Sequence, residues 1–321
     1  MTVIDPRHAN PGTPPRSAPA QRPDADPHPK SRLDLILLTI FIVLPFIALL
    51  AAVPLAWAAG LLGWSDVLIG SVMYVVTVLG VTVGFHRLFT HGSFKAKRPL
   101  KIALAVAGSL SLEMTVVDWV ATHRRHHKFS DVEGDPHSPW RFGTGWKALL
   151  KGLFFAHVGW LFTTERTNRA KYAPDLLADA DIARIHRVFP WLVLGSMIGP
   201  AVLGGLITWS WMGALTAFFW ASLVRVALVH HVTWCINSIC HVWGDEPFAT
   251  RDRSRNVWWL AIPSAGESWH NLHHADPTCA RHGVLPGQID ISARVIRWFE
   301  QLGWAYDVRW PNAQRLAAKQ R

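Results

Sequence analysis

Nine histidines in four short motifs are the side chains of this sequence whose type and spacing could do chemistry. The motifs read HRLFTH, HRRHH, NSICH and HNLHH, and each lies beside an apolar segment. Neutral imidazole is the commonest nitrogen ligand for a transition metal, and nine imidazoles exceed what one six-coordinate ion accepts. The motifs therefore predict two metal ions with these ligands: His86, His91, His123, His126, His127, His241, His270, His273 and His274.

Helical spacing would bring the members of a motif together. Residues three and four apart share a helix face, so the HxxHH motifs at 123–127 and 270–274 can each converge on one point. Asn237 and His241 have the same i,i+4 relation. We therefore expect each of these motifs to lie on a helix that presents one ligating face.

His86 and His91 lie five residues apart, which does not suit a regular helix. The 3.6-residue period would turn the two side chains about 140° from each other. We therefore expect the helix to end or bend at residues 90–92, where Gly92 permits an unusual backbone conformation.

Four carboxylates lie close to the histidine motifs in the sequence. They could accept the second ring N–H of ligating histidines, or they could cap helices and carry solvated charge. These residues are Asp131, Asp135, Glu267 and Asp276. The sequence has neither a helix-borne Glu-x-x-His pair nor HExxH, and nitrogen ligands with open positions suit iron and O₂, although such sites also bind zinc.

The other eight histidines are predicted to be packed or solvated side chains. His8 and His28 fall in the N-terminal tail, and His137 in GDPHS could belong to either class. The remaining five have no partner at ligand spacing: His157, His186, His230, His231 and His282.

The elements that must hold these motifs are membrane helices. The chain of 321 residues is 50% hydrophobic and 17% charged, and one crossing needs roughly 20 apolar residues. Long uncharged runs predict four helices in two hairpins, at about 36–60, 67–85, 189–208 and 211–233. Two shorter apolar stretches, 102–112 and 152–164, are expected at the interface; a six-helix arrangement is the less favoured alternative.

Lysine and arginine are confined to one side of these predicted helices. The two short connections, 60–66 and 208–211, contain neither residue, so the positive-inside rule places both termini and every histidine motif in the cytoplasm. We expect an integral protein of a bacterial cytoplasmic (inner) membrane. Its net charge of +10 comes with no nucleic-acid-binding motif, so the lipid bilayer, anionic headgroups or a phosphate-bearing substrate are the expected partners.

The chain ends are predicted to lie outside the folded domain. Residues 1–32 are rich in proline, alanine and charge and should form a disordered tail, and residues 311–321 should form a C-terminal tail. The three cysteines form no CxxC pair and are expected to stay reduced, with Cys240 a small buried apolar residue.

Five strings of this sequence resemble the membrane fatty acid desaturases, especially the stearoyl-CoA (delta-9) branch. They are GFHRLFTHGSF, WVATHRRHHKFSDVEGDPHS, HVGW, NSICHVWG and GESWHNLHHADP, and they span residues 84 to 277. The resemblance implies a desaturase domain at 33–310, an all-α integral membrane protein with four transmembrane helices in two hairpins and a cytoplasmic helical cap that holds the di-metal site. It also implies that the nine histidines bind two Fe²⁺ ions and that Asn237 contacts one of them through water.

The resemblance further implies the reaction. With O₂ as co-substrate, such an enzyme removes two vicinal hydrogens from an acyl chain held in an apolar tunnel and introduces a cis double bond. The sequence lacks the HPGG motif of a fused cytochrome b5 domain. Electrons must then come from a separate donor: a ferredoxin, a rubredoxin, cytochrome b5 or a flavin reductase.

The sequence departs from the acyl-CoA branch where that branch carries basic residues for the CoA phosphates. After HVGW it reads LFTTER, and before HRRHH it has Ala121 and Thr122, so only Arg166 remains nearby. The acyl carrier could therefore be CoA, a phospholipid or an acyl carrier protein, and the substrate-binding residues stay open.

Two other functions fit parts of the pattern. Membrane di-iron hydroxylases of alkanes, sterols or carotenoids use similar histidine motifs and are the nearest alternative. A metal transporter would need ionisable ligands near the bilayer midplane. The predicted spans lack acidic residues and carry only Arg225, so transport is disfavoured.

Overall fold

The structure is a computed structural model that describes residues 23–321. Four of its helical segments are long and apolar enough to cross a membrane, and they form two hairpins. Their bounds are Arg32–Ala56, Trp64–Thr90, Phe189–Thr208 and Trp211–His241. The fold class predicted from the sequence is confirmed: a mostly helical membrane protein with four candidate spans and a histidine cluster.

The second and fourth spans extend beyond their apolar runs, which we predicted to end near 85 and 233. Each continues as helix until it reaches a histidine motif, so that the second span delivers His86 and the fourth delivers His241. Hydrophobicity marks only the part of a helix that contacts lipid, because the part that extends into the cap is covered by protein and carries polar side chains.

The helices follow one another with little other structure. The first hairpin contains α1 (Arg32–Trp57) and α2 (Trp64–Leu79). The second hairpin contains α9 (Phe189–Thr208), α10 (Trp211–Ala217) and α11 (Arg225–Ser238). Six helices of the cap lie between the two hairpins in the sequence. The six between them are α3 (Arg98–Ser109), α4 (Val116–Phe129), α5 (Trp146–His157), α6 (Arg169–Tyr172), α7 (Pro174–Ala178) and α8 (Ala180–Arg187). The C-terminal part adds α12 (His270–Ala275), α13 (Ile291–Gln301) and α14 (Ala313–Ala317).

Two π-helical segments interrupt the second and fourth spans. They cover Gly80–Thr90, directly after α2, and Phe218–Val224, between α10 and α11. Short 3₁₀ turns occur at Gly159–Phe162, Ile239–His241 and Trp258–Leu260. Among the described residues, the one sheet is the antiparallel pair β1 (Lys95–Ala96) and β2 (Ala305–Tyr306).

A close helix crossing joins the first π-helical segment to α3. A side chain at Gly80 would meet the backbone nitrogen of Gly108 on α3 at 2.1 Å. Phe85, which lies on the same π-helical segment as Gly80, also packs against Gly108. Phe85 continues into a core that also contains buried Val117 and Val120 of α4. The crossing thus places the helix that carries His86 against the helix that carries the HRRHH motif.

The two stretches predicted to lie at the interface form α3 and α5, each of 12 residues and too short to span. α5 exposes Trp146, Leu150 and Phe154 at one-turn spacing, with exposed fractions of 69%, 59% and 67%. Lys147 and Lys151 flank this apolar stripe. An apolar stripe beside lysines is typical of a helix that lies on a membrane surface.

Both chain ends are more ordered than the sequence predicted. Residues 1–22 of the expected disordered tail lie outside the described residues, but residues 24–30 pair with the segment 164–168, with an antiparallel bridge between Ala25 and Thr167. Residues 311–321, expected to be a tail, contain α14 and reach back to the domain through a bridge between Phe248 and Gln320. These contacts form because polar backbone groups of the ends find partners that sequence patterning does not reveal.

Candidate metal centres

The nine histidines of the motifs form two groups in the helical cap. In each group, one ring nitrogen from every histidine lies within 4.8 Å of those of the others. The first group consists of His86, His91, His123, His127 and His273. The second group consists of His126, His241, His270 and His274.

Each HxxHH motif divides between the two groups, so the prediction that each motif converges on one point is wrong. His123 and His127 of α4 face the first group, whereas His126 faces the second. Residues four apart lie about 40° apart around a helix, but adjacent residues lie about 100° apart and do not share a face. α4 therefore lies between the two groups and contributes to both.

α12 contributes in the reverse proportion. His270 and His274, four residues apart, belong to the second group, and His273 belongs to the first. The rings of His127 and His274 stack with centroids 4.5 Å apart, so the two groups share a wall. Two short helices with the same motif thus supply three imidazoles to each group.

The π-helical backbone explains how His86 and His91 meet despite their five-residue spacing. The amide of His91 donates to the carbonyl of His86 at 3.2 Å, which is the i→i+5 bond of a π-helix. The helix then ends, and Gly92 takes a left-handed conformation with φ +56°. The expected end at residues 90–92 is confirmed, whereas the π-helical turn before it was not predicted.

The ring nitrogens of both groups face each other at short range. Pairs of Nε2 atoms in the first group lie close together: His86 with His273 at 3.0 Å, His123 with His127 at 3.1 Å, and His127 with His273 at 2.9 Å. In the second group, Nε2 of His270 lies 3.1 Å from that of His241 and 3.0 Å from that of His274. A separation of about 3 Å is that of two nitrogens at right angles, each about 2.1 Å from a shared ion.

Four carboxylates fix the tautomer of four of these rings. Three of them were anticipated: Glu267 contacts Nδ1 of His86, Asp135 lies 3.0 Å from Nδ1 of His126, and Asp131 lies 2.9 Å from Nδ1 of His241. A neutral ring that donates from Nδ1 keeps the lone pair on Nε2. Lone pairs that face one another repel unless a cation lies between them, so the donor set fits a metal ion in each group.

Asp252 is the fourth carboxylate, and the sequence analysis missed it. Its Oδ2 accepts from Nδ1 of His274 at 2.7 Å, although 22 residues separate the two. Asp252 lies in the stretch TRDRSR, where neither spacing nor hydrophobicity marks it as part of a metal site. The loop between the fourth span and α12 folds back over the cap, and only this path brings Asp252 to His274.

Asp276 does not accept a ring N–H from a candidate ligand, which is one of the two roles considered for it. Its carboxylate pairs with Arg315 of α14, and its backbone amide caps the end of α12 by bonding to Leu272. Asp276 follows His274 by two residues, and the chain has already left the helix, so its side chain points away from the ring nitrogens.

Arg87 lies in a buried charge network beside the first group. The guanidinium is fully buried and donates to Glu267 at 2.9 Å and to the carbonyl of Ala280 at 2.8 Å, and it pairs with Asp290 at 3.0 Å. Its hydrogen bonds hold Glu267 against His86, because one carboxylate serves both side chains. Arg87 follows His86 directly, and that adjacency is the sequence signal that could have identified it.

Two further histidines lie beside the groups. His282, which we expected to have no partner at ligand spacing, is buried with its ring 4.5 Å from that of His273 and its Nδ1 3.7 Å from Glu267. That expectation is wrong. His137, left undecided, stacks on His126 at 4.4 Å and lies beside Asp135.

The remaining histidines lie elsewhere in the described part of the chain. His157 and His231 form a pair with ring nitrogens 2.9 Å apart, and His230 contacts the carbonyl of Ser111 at 3.0 Å. None of these three belongs to either histidine group. Their partners satisfy the buried ring of His230 and the half-buried rings of His157 and His231, as expected for structural histidines.

Burial favours the neutral form of six imidazoles of the two groups, and the neutral form is the one that binds a cation. Burial lowers the pKa of five rings well below the ordinary value of 6.5, and neighbouring imidazoles lower it further. These rings are His91, His123, His127, His270 and His273. Burial also lowers the pKa of His274 to about 4, although Asp252 opposes that change.

Three adjoining cavities lead from the surface to the first group. The outer cavity, of about 290 Å³, contains charged side chains such as Arg125 and Arg166 together with Leu38 of the first span. The middle cavity borders His123 and Asn237, and the inner cavity continues past both to apolar residues including Val78. Shared lining residues place the three cavities next to one another, and this row of cavities is here called the channel; Asn237 lies on it beside the candidate ligands.

Glu113 lies where the outer and middle cavities meet, and sequence reasoning did not identify it. Its Oε2 accepts from the indole of Trp119 at 2.8 Å, and Trp119 stacks on His123 with ring centroids 4.9 Å apart. Burial raises the pKa of Glu113 to about 7. The middle of the channel therefore combines a largely apolar wall with one carboxyl group.

The part of the sequence that forms these imidazole groups and most of these cavities matches the model of a known protein family. A sequence model described as fatty acid desaturase matches residues 62–284. The chain belongs to the fatty acid desaturase family. It is therefore an oxidoreductase that acts on fatty acyl groups, and its matched region includes all nine histidines and the four carboxylates that contact them.

Curated relatives of this desaturase agree with that membership. A hex-5-enoyl-[acyl-carrier protein] acetylenase of Moorena producens is 41% identical over 285 residues, which cover 87% of this chain and 88% of the relative. Delta-9 acyl-lipid desaturase 1 of Arabidopsis thaliana is 37% identical over 285 residues, with 88% and 85% covered. The chloroplastic palmitoyl-monogalactosyldiacylglycerol delta-7 desaturase of the same plant is 36% identical over 258 residues, with 79% and 66% covered.

Proposed function

We propose that this desaturase uses a di-iron centre and O₂ to introduce a cis double bond into a long-chain acyl group. The observation that carries the proposal is the division of nine imidazoles into two groups that share a wall beside the channel. In this reaction the two hydrogens removed from adjacent methylenes would combine with O₂, two electrons and two protons to give two water molecules.

The two histidine groups are the proposed ligand sets, with Asn237 a contact through water. Nitrogen donors without an inner carboxylate suit iron that must keep open positions, and the two ions would supply O₂ activation and C–H cleavage. The role of the surrounding carboxylates is to orient the rings and to keep Nε2 free for the metal. Arg87 holds one of these carboxylates, Glu267, in place.

The channel is the proposed site for the acyl chain. Trp119 stacks on His123 and lines both the middle and the inner cavity, so its indole would lie against the chain at the position nearest the first group. Val78, Val81 and Ile236 give the inner cavity its apolar wall. An apolar chain held there excludes bulk water from the reacting carbons.

The position of the double bond and the acyl carrier are proposed by analogy. Relatives named as delta-9 acyl-lipid desaturases favour the delta-9 position and an acyl-lipid or acyl-CoA substrate, and the acetylenase named for an acyl carrier protein adds a third carrier. Of the four cations at the channel mouth, Arg166 pairs with Asp34 at 2.6 Å and Arg125 pairs with Glu165 at 2.5 Å. Within residues 23–321, Lys30 and Arg141 form no ion pair with a carboxylate, so the choice between acyl carriers rests on the names of the relatives.

Electrons would come from a separate protein, of the ferredoxin, rubredoxin, cytochrome b5 or flavin reductase type. We propose that the protein lies in a bacterial cytoplasmic membrane with both termini inside, so that the histidine groups face the soluble donor. The arginine and lysine distribution supports this orientation.

The test is expression in a desaturase-deficient host, followed by gas chromatography–mass spectrometry of fatty acid methyl esters with chemical location of double bonds. The wild type should produce a new cis-monounsaturated acid, and His273→Ala should not. Hydroxylated fatty acids in place of unsaturated ones would overturn desaturation in favour of the hydroxylase alternative. Equal product from His273→Ala would overturn the metal assignment.

A further inference from the structure

A basic loop covers the cytoplasmic side of the candidate centres. Residues 250–255, here called the arginine loop, read TRDRSR. Arg251 donates to the backbone carbonyl of His127, Asp252 accepts from His274, and the amide of Arg253 donates to Asp131 at 2.9 Å. Three successive residues of one loop thus contact the candidate ligands His127 and His274, and Asp131, which is the carboxylate partner of the candidate ligand His241.

The cations of this loop are exposed and available to a partner. Arg251 and Arg253 are exposed, and within residues 23–321 neither guanidinium forms an ion pair with a carboxylate. By contrast, Arg255 of the same loop pairs with Glu246 at 2.6 Å. Two unpaired guanidiniums next to each other make a local positive site on the surface.

Trp140 connects this positive site to the second histidine group. The guanidinium of Arg253 lies 4.0 Å from the centre of the Trp140 ring, a cation–π contact. On its other side, the Trp140 indole donates to the carbonyl of His241 at 2.9 Å, and Nδ1 of His241 is held by Asp131. An aromatic ring therefore lies between the surface cation and a candidate ligand.

We propose that the arginine loop and Trp140 form the docking site for an acidic protein that carries single electrons, and that electrons enter the second histidine group there. The inference rests on the proposed function, because only a centre that reduces O₂ needs an electron donor. Each double bond would require two docking and transfer events, and each event passes one electron from the reduced carrier to the centre. The carrier leaves oxidised, and the two protons come from solvent.

Charge and size favour a carrier over other partners. Acidic carriers are steered to positive surfaces by electrostatic complementarity, and redox encounters use small interfaces, so a six-residue loop with one tryptophan is sufficient. The loop also contacts His127 and His274, so that docking on it brings the carrier next to both histidine groups. A membrane-binding role would not require contacts with three parts of the metal site.

The experiment uses the full protein in neutral phosphatidylcholine vesicles, loaded with iron, with acyl substrate and O₂. Reduced carriers are an acidic [2Fe–2S] ferredoxin and an acidic cytochrome b5, and their oxidation is followed optically. In the variant R251Q/R253Q the KM for the carrier should rise about 3- to 10-fold at low ionic strength, as expected for the loss of two surface charges. The kcat at saturating carrier should stay unchanged, and the salt dependence should flatten.

The matched control is R294Q/R297Q, which removes two positive charges from α13 and also takes away an arginine that stacks on a tryptophan, since Arg297 lies 4.3 Å from the Trp310 ring. This control should leave the KM for the carrier unchanged. Equal effects of the two double variants would show that net charge alone matters and would overturn the docking site. If neither acidic carrier supports turnover of the wild type, the proposed class of partner is wrong.

Trp140 is tested separately from docking. W140L should lower the rate of carrier oxidation at saturating carrier without raising KM, and W140F should retain more of that rate. All variants should yield the same product when they are reduced chemically without oxygen, freed of reductant and then given O₂. If the wild type forms product in this single turnover, the proposed function is supported whatever the experiments with carriers show. If W140L oxidises saturating carrier at the rate of the wild type, the proposed route of electron entry is wrong.

Discussion

His127 and His274 stack with ring centroids 4.5 Å apart and planes inclined by 22°, and each belongs to a different histidine group. Two imidazoles in van der Waals contact thus separate the two candidate metal positions. Neighbouring ions in one pocket can act on one O₂ molecule, whereas distant ions could not.

Loss of one ring should empty one centre. His127→Ala removes a nitrogen from the first group, and His270→Ala removes one from the second. We expect each purified variant to hold about half of the iron of the wild type and to lack turnover, because the loss of one nitrogen ligand weakens the binding of one ion. Iron is measured by plasma mass spectrometry and product by chromatography.

His231→Asn is the control for both ligand variants, since His231 pairs with His157 away from the two groups. It should retain the iron content of the wild type. If His270→Ala keeps the iron content of the wild type, or if His231→Asn loses iron, the assignment of ligands to the two groups is wrong.

Asp252 should support metal binding although it holds no metal itself. Removal of the acceptor in Asp252→Ala frees Nδ1 of His274 and lets the ring rotate or change tautomer. Such outer partners typically contribute 10- to 100-fold to metal affinity, so we expect a loss of that size in a chelator competition. Asp276→Ala should leave affinity unchanged, since Asp276 pairs with Arg315. If Asp276→Ala lowers the metal affinity and Asp252→Ala does not, Asp276 is the carboxylate that supports the site, as its position in the sequence suggested.

Glu113 should make stability depend on pH. Its pKa is about 7 in the folded protein, against an ordinary value of 4.5, so the folded state binds more protons than the unfolded chain between these values. Stability should therefore fall as pH rises from about 4.5 to 7, by up to about 3 kcal/mol. Glu113→Gln, which keeps an acceptor for Trp119, should lose this dependence, whereas exposed Glu133→Gln should not. Thermal unfolding in detergent at pH 5 and pH 8 measures it, and parallel pH curves for wild type and Glu113→Gln would contradict the prediction.

Gly80 should tolerate no side chain. A methyl group there would lie 2.1 Å from the backbone nitrogen of Gly108, so Gly80→Ala must push α3 away from the second span. Overpacking of this kind typically costs about 1–3 kcal/mol, and backbone atoms cannot yield as side chains do. Gly199→Ala on α9, where the added carbon meets nothing within 4 Å, should cost nothing. Melting temperatures of the two variants give the comparison, and equal values would contradict the close crossing.

Some features of the fold could be predicted from the sequence because they depend on local composition. Uncharged runs as long as a bilayer is thick have no soluble alternative, so four spans in two hairpins followed from hydrophobicity alone. The nine imidazoles were also recognisable, since histidines at helical spacing in four motifs have few structural explanations. The cysteines behave as expected: all three are free, and Cys240 is buried in an apolar cluster.

Other features needed the three-dimensional path of the chain. The partner of His274 is Asp252 rather than Asp276, because distance along the chain says little about distance across a cap built from loops. The same holds for His282 beside His273 and for Glu113 in the channel. Glu113, for example, forms a hydrogen bond with Thr233, which lies 120 residues further along the chain.

The sequence by itself determined which residues could hold metal, because residue type and helical period are properties of the chain alone. Only the tertiary structure decided how those residues divide. His126 and His127 are neighbours in the sequence, yet the 100° step between adjacent helical residues directs them to different groups. The other rings come from α12 and from the ends of the second and fourth spans. A helix has a fixed pitch, but the position of its neighbours is set by packing, and packing assigns each imidazole to its group.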